Sequence, residues 1–442
     1  MTLPVAEKTS SVAAGASSAI LAAYLRRTGK SRQAHARARI LLPGGTSRQA
    51  GYWEPYPLTF DSAEGVYLRD LDANRYFDLI NNYTAMVHGH AYGPIVEAAR
   101  RQAARGTGWA GGNLAQLELA GQIVERVAAV EQVRFTNSGT EAGALALNIA
   151  RKITGRPKLL MARFGYHGSL MEFECGSFGH EGPVTLLATY NDLADFEGVL
   201  AEHGEDIAAV FLEPVLGSGG VVSGAPAFLK GVQAAARKAG ALLVLDEVLT
   251  LRFGHRGVQG TLGLEPDLTM FGKLIGGGYP VGAVGGKRDL LRIFDPADLK
   301  LFHTGTFNAN PVTMVAGGVS LSHLTPEAIE RMEAGAQTLK DALTGAPRKA
   351  GLPFSVNHHG SCLNLYFSDR PPHASMVRQD TALIGRFHLA AMNRGLFLAP
   401  RGMIALSTVM TPGQLDEIGQ RAAAALADLA AEAEDLIPEP AG

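Results

Sequence analysis

Cysteine and net charge are both scarce in this sequence of 442 residues. The two cysteines, Cys175 and Cys362, are far apart in the chain, which argues against a disulfide framework and indicates a reducing compartment. The 40 lysines and arginines nearly balance the 42 aspartates and glutamates, so the formal net charge is −2. Because no basic block stands out, nucleic acid and anionic membranes are not expected as the main partners.

Long apolar runs are absent as well. No uncharged apolar run reaches the roughly 18 residues that a membrane span needs. The segment from Met1 to about Ser18 is rich in alanine and serine and lacks the basic-then-apolar pattern of a signal peptide, so it is predicted to be a flexible tail. With 46% hydrophobic and 19% charged residues, the composition is that of a globular protein with a large core. We therefore expect a cytoplasmic protein without a membrane partner.

Apolar strands alternate with amphipathic helices through the middle of the chain. This rhythm predicts an α/β fold with a mostly parallel sheet and right-handed crossovers. The expected strands are Val133–Thr136, Lys158–Ala162, Val184–Ala188, Ala208–Leu212, Ala241–Leu245 and Leu268–Phe271. The expected helices of this region are Glu141–Ile153, Leu193–His203 and Pro226–Ala239.

Both ends of the chain have a different pattern. One helix is predicted over Ser18–Ile40, followed by short antiparallel strands, and a terminal helix is predicted over Leu415–Asp435. We therefore predict a large α/β domain over residues 83–311. Residues 1–82, with the tail, and residues 312–442 are predicted to build a smaller α+β domain together.

Lys273 lies between an apolar strand and the glycines Gly276 to Gly278. A desolvated lysine has a lowered pKa and is a good imine-forming nucleophile, as carbonyl cofactors require. The glycines let the backbone approach a flat ligand closely. Taken alone, the pattern equally fits a surface lysine beside a turn.

Ser138, Gly139 and Thr140 follow an apolar strand and open a helix. Free backbone amides and the positive end of the helix dipole are suited to bind a phosphate there. The alternative is an ordinary helix N-cap, with a serine or threonine before an acidic residue.

Four further residues follow predicted strands. Asp246 ends a buried strand, where its carboxylate needs a cationic partner such as a pyridinium nitrogen, or simply caps the next loop. Tyr166, flanked by glycines, is placed to stack on a cofactor ring or to fill the core, and His167 beside it has a structural or a catalytic role. Glu213 follows another strand and is predicted to be a hydrogen-bond partner near the ring.

The motifs occur in one fixed order, and together they resemble the class III, fold type I aminotransferases that use pyridoxal phosphate, a family that includes glutamate-1-semialdehyde aminomutase. The motifs are Asn-Ser-Gly-Thr-Glu-Ala, Gly-Tyr-His-Gly, Glu-Pro-Val, Asp-Glu-Val, Gly-Lys-x-Ile-Gly-Gly-Gly and Gly-Thr-Phe-x-x-Asn-Pro. The resemblance extends from about Leu41 to Ser407 and implies a fold type I transferase.

The resemblance implies a role for each matching residue. Lys273 would carry pyridoxal 5′-phosphate, Asp246 would pair with its pyridinium nitrogen, and Tyr166 would stack on the ring. Ser138, Gly139 and Thr140 would hold the phosphate. Thr306 would reach the phosphate in a neighbouring subunit, which implies a homodimer with active sites at the interface. No metal is expected.

Two arginines bear on the substrate. Arg48, in Pro-Gly-Gly-Thr-Ser-Arg, and Arg401, in Pro-Arg-Gly, resemble the corresponding residues of aromatic β-amino acid aminotransferases of the β-phenylalanine type. Guanidinium groups bind carboxylates in a bidentate fork. Where Arg401 stands, aminomutases usually carry an acidic stretch. Each arginine could instead be a surface residue, and the segment around Tyr83, which departs from these relatives, is expected to face the substrate.

Three functions stay open. The first is a transaminase that moves an amino group from an aromatic β-amino acid to a keto acid such as 2-oxoglutarate or pyruvate. The second is an intramolecular glutamate-1-semialdehyde 2,1-aminomutase, which Arg401 disfavours. The third is a non-catalytic pyridoxal-phosphate binding protein, which the presence of Lys273 disfavours.

Overall fold

The computed structural model of the protein describes residues 18–350, 352–368, 373 and 382–432. The helices of these ranges are α1 (Ala19–Arg27), α2 (Gly29–Leu41), α3 (Asn81–Thr84), α4 (Gly93–Ala103), α5 (Leu114–Arg126), α6 (Gly139–Thr154), α7 (Met171–Ser177), α8 (Leu193–His203), α9 (Pro226–Ala239), α10 (Gly257–Leu262), α11 (Arg288–Leu291), α12 (Pro311–His323), α13 (Pro326–Ala350), α14 (Ala382–Asn393) and α15 (Pro412–Ala430).

The strands of the same ranges form four sheets. They are β1 (Phe60–Glu64), β2 (Tyr67–Asp70), β3 (Arg75–Asp78), β4 (Gln132–Thr136), β5 (Lys158–Ala162), β6 (Thr185–Ala188), β7 (Ile207–Leu212), β8 (Val215–Leu216), β9 (Val222–Ser223), β10 (Leu242–Asp246), β11 (Leu268–Gly272), β12 (Gly282–Gly286), β13 (Ser355–His359), β14 (Cys362–Tyr366), β15 (Leu396–Phe397) and β16 (Met403–Ala405).

The central sheet has seven strands in the order β4-β12-β11-β10-β7-β5-β6. β12 runs antiparallel to both of its neighbours, and the other six strands are parallel to one another. Side chains alternate between the two faces: Leu159 and Met161 pack with α6, whereas Leu160 packs with α8 and α9. Because both faces are covered, these strands are continuous apolar runs.

The remaining sheets join the two ends of the chain. β1, β2 and β3 form an antiparallel sheet whose fourth strand, β15, pairs in parallel with β3, so that Leu396 lies opposite Phe77. A second sheet has the order β13-β14-β16. One apolar cluster joins α1 to α13, α14 and α15 through residues such as Tyr24, Leu339 and Leu426. This is the smaller α+β domain that was predicted from both ends.

The structure agrees with the predicted central strands within one or two residues and differs in three details. The helix predicted over Ser18–Ile40 is two helices, because the backbone leaves the helical region at Thr28. The antiparallel strand β12 was not predicted. The terminal helix α15 ends at Ala430, and positions 433–435 of the predicted helix lie outside the described residues. The domain limits at 82/83 and 311/312 stay predictions.

None of the helices within the described ranges is both long and apolar enough to cross a membrane.

Candidate active site

The predicted cofactor residues lie at one edge of the central sheet. Asp246 is the last residue of β10, Lys273 follows β11, and Glu213 follows β7. Ser138 and Tyr166 follow β4 and β5. Since these five strands run parallel, their carboxyl ends meet at the same edge, which is where ligands bind in open α/β sheets.

Lys273 sits in a strained, apolar turn directly after β11. Its φ of +50° is unusual for a residue with a Cβ, and such outliers concentrate at functional sites. Burial lowers the pKa of its ammonium, while the negative charges of Asp246 and Glu213 oppose that shift. A lysine held in this way loses its proton more readily than an exposed one and can serve as a nucleophile and base.

Asp246 is buried and has a cationic or polar partner on each side. Its Oδ2 lies 2.9 Å from Nδ1 of His167, and its Oδ1 accepts a hydrogen bond from the amide of Val248 at 2.9 Å. Because a carboxylate oxygen accepts, Nδ1 of His167 carries a hydrogen and donates this hydrogen bond to Asp246. The structure shows the loop-capping role of Asp246, because its Oδ1 accepts from the amide of Val248, whereas its pairing with a ring nitrogen stays a prediction.

His167 has a structural role that supports the chemistry. It is 2% exposed, and its Nε2 has no hydrogen-bond partner within the described ranges. A Cβ built on Gly165 would lie 3.0 Å from the carbonyl oxygen of Ala162, which is tighter than ordinary contacts, and 3.6 Å from both this Nε2 and Oε2 of Glu213.

Glu213 is a buried carboxyl whose two oxygens accept backbone hydrogen bonds. Oε2 accepts from the amide of Tyr166 at 2.9 Å, and Oε1 accepts from the amide of Gly217 at 3.0 Å. Burial, and then the negative charge of Asp246, raise its pKa to about 7, whereas His167 and the two amides lower it. Glu213 thus holds the backbone of the Tyr166 loop and can exchange a proton near neutral pH.

The amino end of α6 carries the residues predicted to hold a phosphate, and this place is called the phosphate cup. Ser138 is its N-cap, because its Oγ accepts a hydrogen bond from the amide of Glu141 at 3.1 Å. Oγ1 of Thr140 accepts from the amide of Ser169 at 3.3 Å. A Cβ on Gly168 would collide with Thr140, so the glycine lets the two loops close on each other. The N-cap reading is correct, and the free amides of the 16-residue helix still point to an anion.

Tyr166 is not a core residue. Its side chain is 40% exposed at the mouth of the site, and its hydroxyl lies 3.4 Å from Oγ of Ser169. An exposed aromatic ring on the loop that also carries His167 and Ser169 is suited to stack on a planar ring.

Tyr83 lies on a backbone segment of unusual conformation. Asn81, Asn82, Tyr83 and Thr84 all have positive φ angles, between 48° and 74°, so α3 is a left-handed turn. The turn is held at its first residue, Asn81: its amide donates to Asp78 at 2.9 Å, and its side chain donates to the carbonyl of Ala405 at 2.6 Å.

The two predicted substrate arginines lie near this turn. Nη1 of Arg48 donates to Oδ1 of Asn82 at 2.8 Å. Burial raises the pKa of Tyr83, and the positive charges of Arg401 and then Arg48 oppose that rise. Arg401 also lowers the pKa of Lys273. The structure thus brings Arg48, Tyr83 and Arg401 into one cationic neighbourhood that extends toward Lys273.

Thr306 lies apart from these groups, on an exposed loop. The loop is fixed near the phosphate cup because Oδ1 of Asn308 accepts a hydrogen bond from the side chain of Asn137 at 2.8 Å. Phe302 and Phe307, on either side of Thr306, are 76% and 68% exposed.

Sequence reasoning missed Arg252 and Cys362. Arg252 is fully buried, and Cys362 is a buried thiol near enough to Lys273 for the ammonium to lower the pKa that burial raises. Arg252 is the charged residue within the mostly apolar run Leu249–Phe253. A charged residue in such a run was the sequence signal that could have indicated a buried arginine.

The donor set fits pyridoxal phosphate. It combines a buried amine for the carbonyl, a buried carboxylate for a ring nitrogen, an open aromatic face and a helix amino end for the phosphate. No cluster of acidic, histidine and cysteine side chains suitable for a metal ion occurs in the described part of the chain.

Comparisons with known proteins agree with this geometry. The model of the family "Aminotransferase class-III" matches residues 50–412. The chain is 38% identical over 394 residues to the β-phenylalanine transaminase of Variovorax paradoxus, which covers 87% of this chain and 89% of that protein. It is also 38% identical over 411 residues to the glutamate-1-semialdehyde 2,1-aminomutase of Heliobacterium modesticaldum, covering 88% of this chain and 94% of that one.

Solved structures give the same result. The ω-transaminase of Sphaerobacter thermophilus superposes with a TM-score of 0.87 at 36% identity, covering 92% of this chain and 99% of that chain. The β-phenylalanine aminotransferase of Variovorax paradoxus superposes with a TM-score of 0.86 at 34% identity, covering 95% and 98%. This chain therefore belongs to the class III aminotransferases and is a pyridoxal-phosphate-dependent transaminase of fold type I.

Proposed function

We propose that this transaminase takes its amino group from an aromatic β-amino acid of the β-phenylalanine type and passes it to a keto acid such as 2-oxoglutarate or pyruvate. The observation that carries the proposal is the position of Arg401, whose charge acts on both Lys273 and Tyr83. A guanidinium there can hold a substrate carboxylate by a bidentate pair of hydrogen bonds.

Each residue of the site has a distinct task. Lys273 holds the cofactor and then moves a proton to and from the substrate carbon, for which a lowered pKa is an advantage. Asp246, oriented by His167, keeps a proton on the ring nitrogen. When bound, pyridoxal phosphate supplies the carbonyl and the electron sink. Ser138, Gly139 and Thr140 hold its phosphate.

A dicarboxylate acceptor such as 2-oxoglutarate brings two carboxylates into the site, whereas the amino donor brings one. Arg401 lies on the side of Lys273, whereas Arg48 is exposed and is held by Asn82. We propose that Arg401 and Arg48 share these carboxylates, with Tyr83 between the two guanidinium groups supporting a substrate side chain.

The transaminase is proposed to be a cytoplasmic homodimer with active sites at the interface. The exposed Phe302 and Phe307 flank Thr306, and exposed aromatic residues of this size are typical of surfaces that a partner covers. Both cysteines are free thiols, which suits a reducing compartment. Light scattering coupled to size exclusion tests the dimer, and a monomer at working concentrations contradicts it.

A glutamate-1-semialdehyde aminomutase is the second candidate, and the equal identity of 38% to such an enzyme favours keeping it. One experiment separates the two. The purified enzyme is mixed with (S)-β-phenylalanine without an acceptor, and the absorbance of the pyridoxal form is followed. Loss of that absorbance, reversed by 2-oxoglutarate, is expected, with the Lys273→Ala variant as the unreactive control. No loss, together with conversion of glutamate-1-semialdehyde to 5-aminolevulinate, establishes the aminomutase instead.

A further inference from the structure

Arg252 is a buried cation whose hydrogen-bond partners among the described residues are all neutral. Its side chain is 0% exposed, and burial lowers the pKa of its guanidinium. Within the described ranges it forms no ion pair with a carboxylate. A buried charge without a counterion destabilises the fold relative to an apolar side chain of similar shape. A purely packing role would therefore be better served by methionine or leucine.

The partners of Arg252 come from distant parts of the chain. Nε donates to Oγ of Ser361 at 2.9 Å, in the turn between β13 and β14. Nη1 donates to the carbonyl oxygen of Thr84 at 3.2 Å, at the end of the left-handed turn. Nη2 donates to the carbonyl oxygen of Leu406, directly after β16. One planar group thus connects three segments that are far apart in the sequence, each more residues from the next than the longest helix contains.

Two of these segments carry the proposed substrate residues. Tyr83 precedes Thr84 directly, and Arg401 lies in the turn two residues before β16, the strand that ends just before Leu406. Residues 401–406 are the Arg401 strand with the turn that leads into it. The two segments also touch each other, because the amide of Ala405 donates to the carbonyl of Leu79 at 2.7 Å. The third participant is the loop of Arg252 itself, which begins at the cofactor residue Asp246.

We propose that Arg252 is a positioning residue that fixes the Tyr83 turn and the Arg401 strand to the cofactor loop, and so sets the distance between the substrate carboxylate site and Lys273. The inference rests on the proposed function in that Tyr83 and Arg401 are taken as the substrate side of the site.

The geometry requires arginine rather than lysine. A guanidinium has donors in a rigid plane that can satisfy three acceptors in fixed directions, whereas an ammonium is a single point charge on a flexible stem. The left-handed turn adds to the requirement. Four consecutive residues with positive φ are costly for side chains other than glycine, so the turn needs external hydrogen bonds to persist.

The test compares Arg252→Lys with a matched control, Arg126→Lys, in the holoenzyme. Arg126 is also a buried arginine, 9% exposed, and its Nη2 donates to two backbone carbonyls, those of Leu321 at 3.0 Å and Leu324 at 2.9 Å. None of these residues belongs to the active site. Ser361→Ala is the milder second variant, since it removes only the acceptor of Nε and keeps the arginine.

For Arg252→Lys we expect the KM of the amino donor to rise about tenfold, because a displacement of the binding groups by a fraction of an ångström has effects of this order, while kcat and cofactor content change little. Amide hydrogen exchange should become faster at residues 80–86 and 405–408. Ser361→Ala should shift KM in the same direction by a smaller factor. Arg126→Lys should leave KM and both exchange rates unchanged, whatever its effect on the melting temperature.

Two outcomes overturn the inference: unchanged exchange at both segments in Arg252→Lys, or an equal rise of KM in Arg126→Lys, which would reduce the effect to general destabilisation. Arg401→Ala is measured alongside. One result is that Arg401→Ala leaves KM unchanged while residues 80–86 and 405–408 exchange faster in Arg252→Lys. In that case the proposed substrate site fails and the positioning role stands. If Arg401→Ala raises KM and Arg252→Lys changes neither KM nor exchange, the positioning role fails alone.

Discussion

Replacing Glu213 by glutamine should remove a specific part of the dependence of stability on pH. The Glu213 carboxyl is buried beside Asp246, and its pKa is raised from 4.5 to about 7, first by burial and then by the Asp246 charge. A raised pKa means that the folded protein binds this proton more tightly than the unfolded chain does. The group therefore favours folding below pH 4.5, and that contribution is lost as the pH rises through 7.

The size of the effect follows from the two pKa values. A pKa raised from 4.5 to about 7 corresponds to about 3 kcal/mol in all. Between pH 5 and pH 8 the loss amounts to about 2.5 kcal/mol of the free energy of unfolding. Glutamine does not titrate, so this part of the slope is absent from the variant. Glutamine also accepts through one oxygen where Glu213 accepts through two, which costs about 1 kcal/mol at every pH.

The assay is urea unfolding of the cofactor-free protein at several pH values between 5 and 8. At pH 5 the free energy of unfolding of Glu213→Gln should be lower than that of wild type. Between pH 5 and pH 8 the difference, variant minus wild type, should rise by about 2.5 kcal/mol. Glu205→Gln, which replaces an exposed glutamate, is the control and should keep the wild-type slope. Parallel pH profiles for wild type and Glu213→Gln would refute the raised pKa and with it the proton-exchanging role of Glu213.

Three further outcomes test other parts of the site. Lys273→Ala should abolish turnover and leave the far-ultraviolet circular dichroism unchanged; surviving turnover excludes Lys273 as the catalytic lysine. Tyr166→Leu should weaken cofactor affinity by about 1 kcal/mol, measured by titration of the cofactor-free protein, because stacking is lost. Gly282→Ala should reduce cofactor affinity, since the added methyl group would collide with the carbonyl oxygen of Ser138, whereas Gly198→Ala, which meets no atom within 4 Å, should leave it unchanged.

Local sequence signals were sufficient to predict the position of a residue that ends or follows a strand. Asp246, Lys273 and Glu213 each end or follow an apolar run, and parallel strands bring such positions to one edge. Tyr166 needed the structure, because glycine neighbours do not distinguish an exposed ring from a buried one. For Ser138 the structure added less, because a serine at the start of a helix is typical of an N-cap and of an anion site alike.

The sequence could not show features that depend on distant contacts. The four positive φ angles from Asn81 to Thr84 arise from bonds to Asp78, Ala405 and Arg252, which lie in three different regions of the chain. The strand β12, Gly282–Gly286, has three glycines and little of the usual strand composition. Its glycines are required because β12 passes close to Ser138 and to Leu268 on the neighbouring strand.

The distribution of charge explains how one edge of a sheet can hold a ligand that is anionic at one end and cationic at the other. At the predicted phosphate end, the protein offers helix amides and hydroxyls, and the carboxylate of Glu141 in the first turn of α6 accepts a hydrogen bond from the amide of Asn137. At the ring end, burial lowers the pKa of Lys273 and raises that of Glu213, so both groups tend toward neutrality. Asp246, supported by His167 and the amide of Val248, is then left as the principal negative charge. A proton on a ring nitrogen is stabilised by that carboxylate, and the stabilisation is large because the surroundings exclude water.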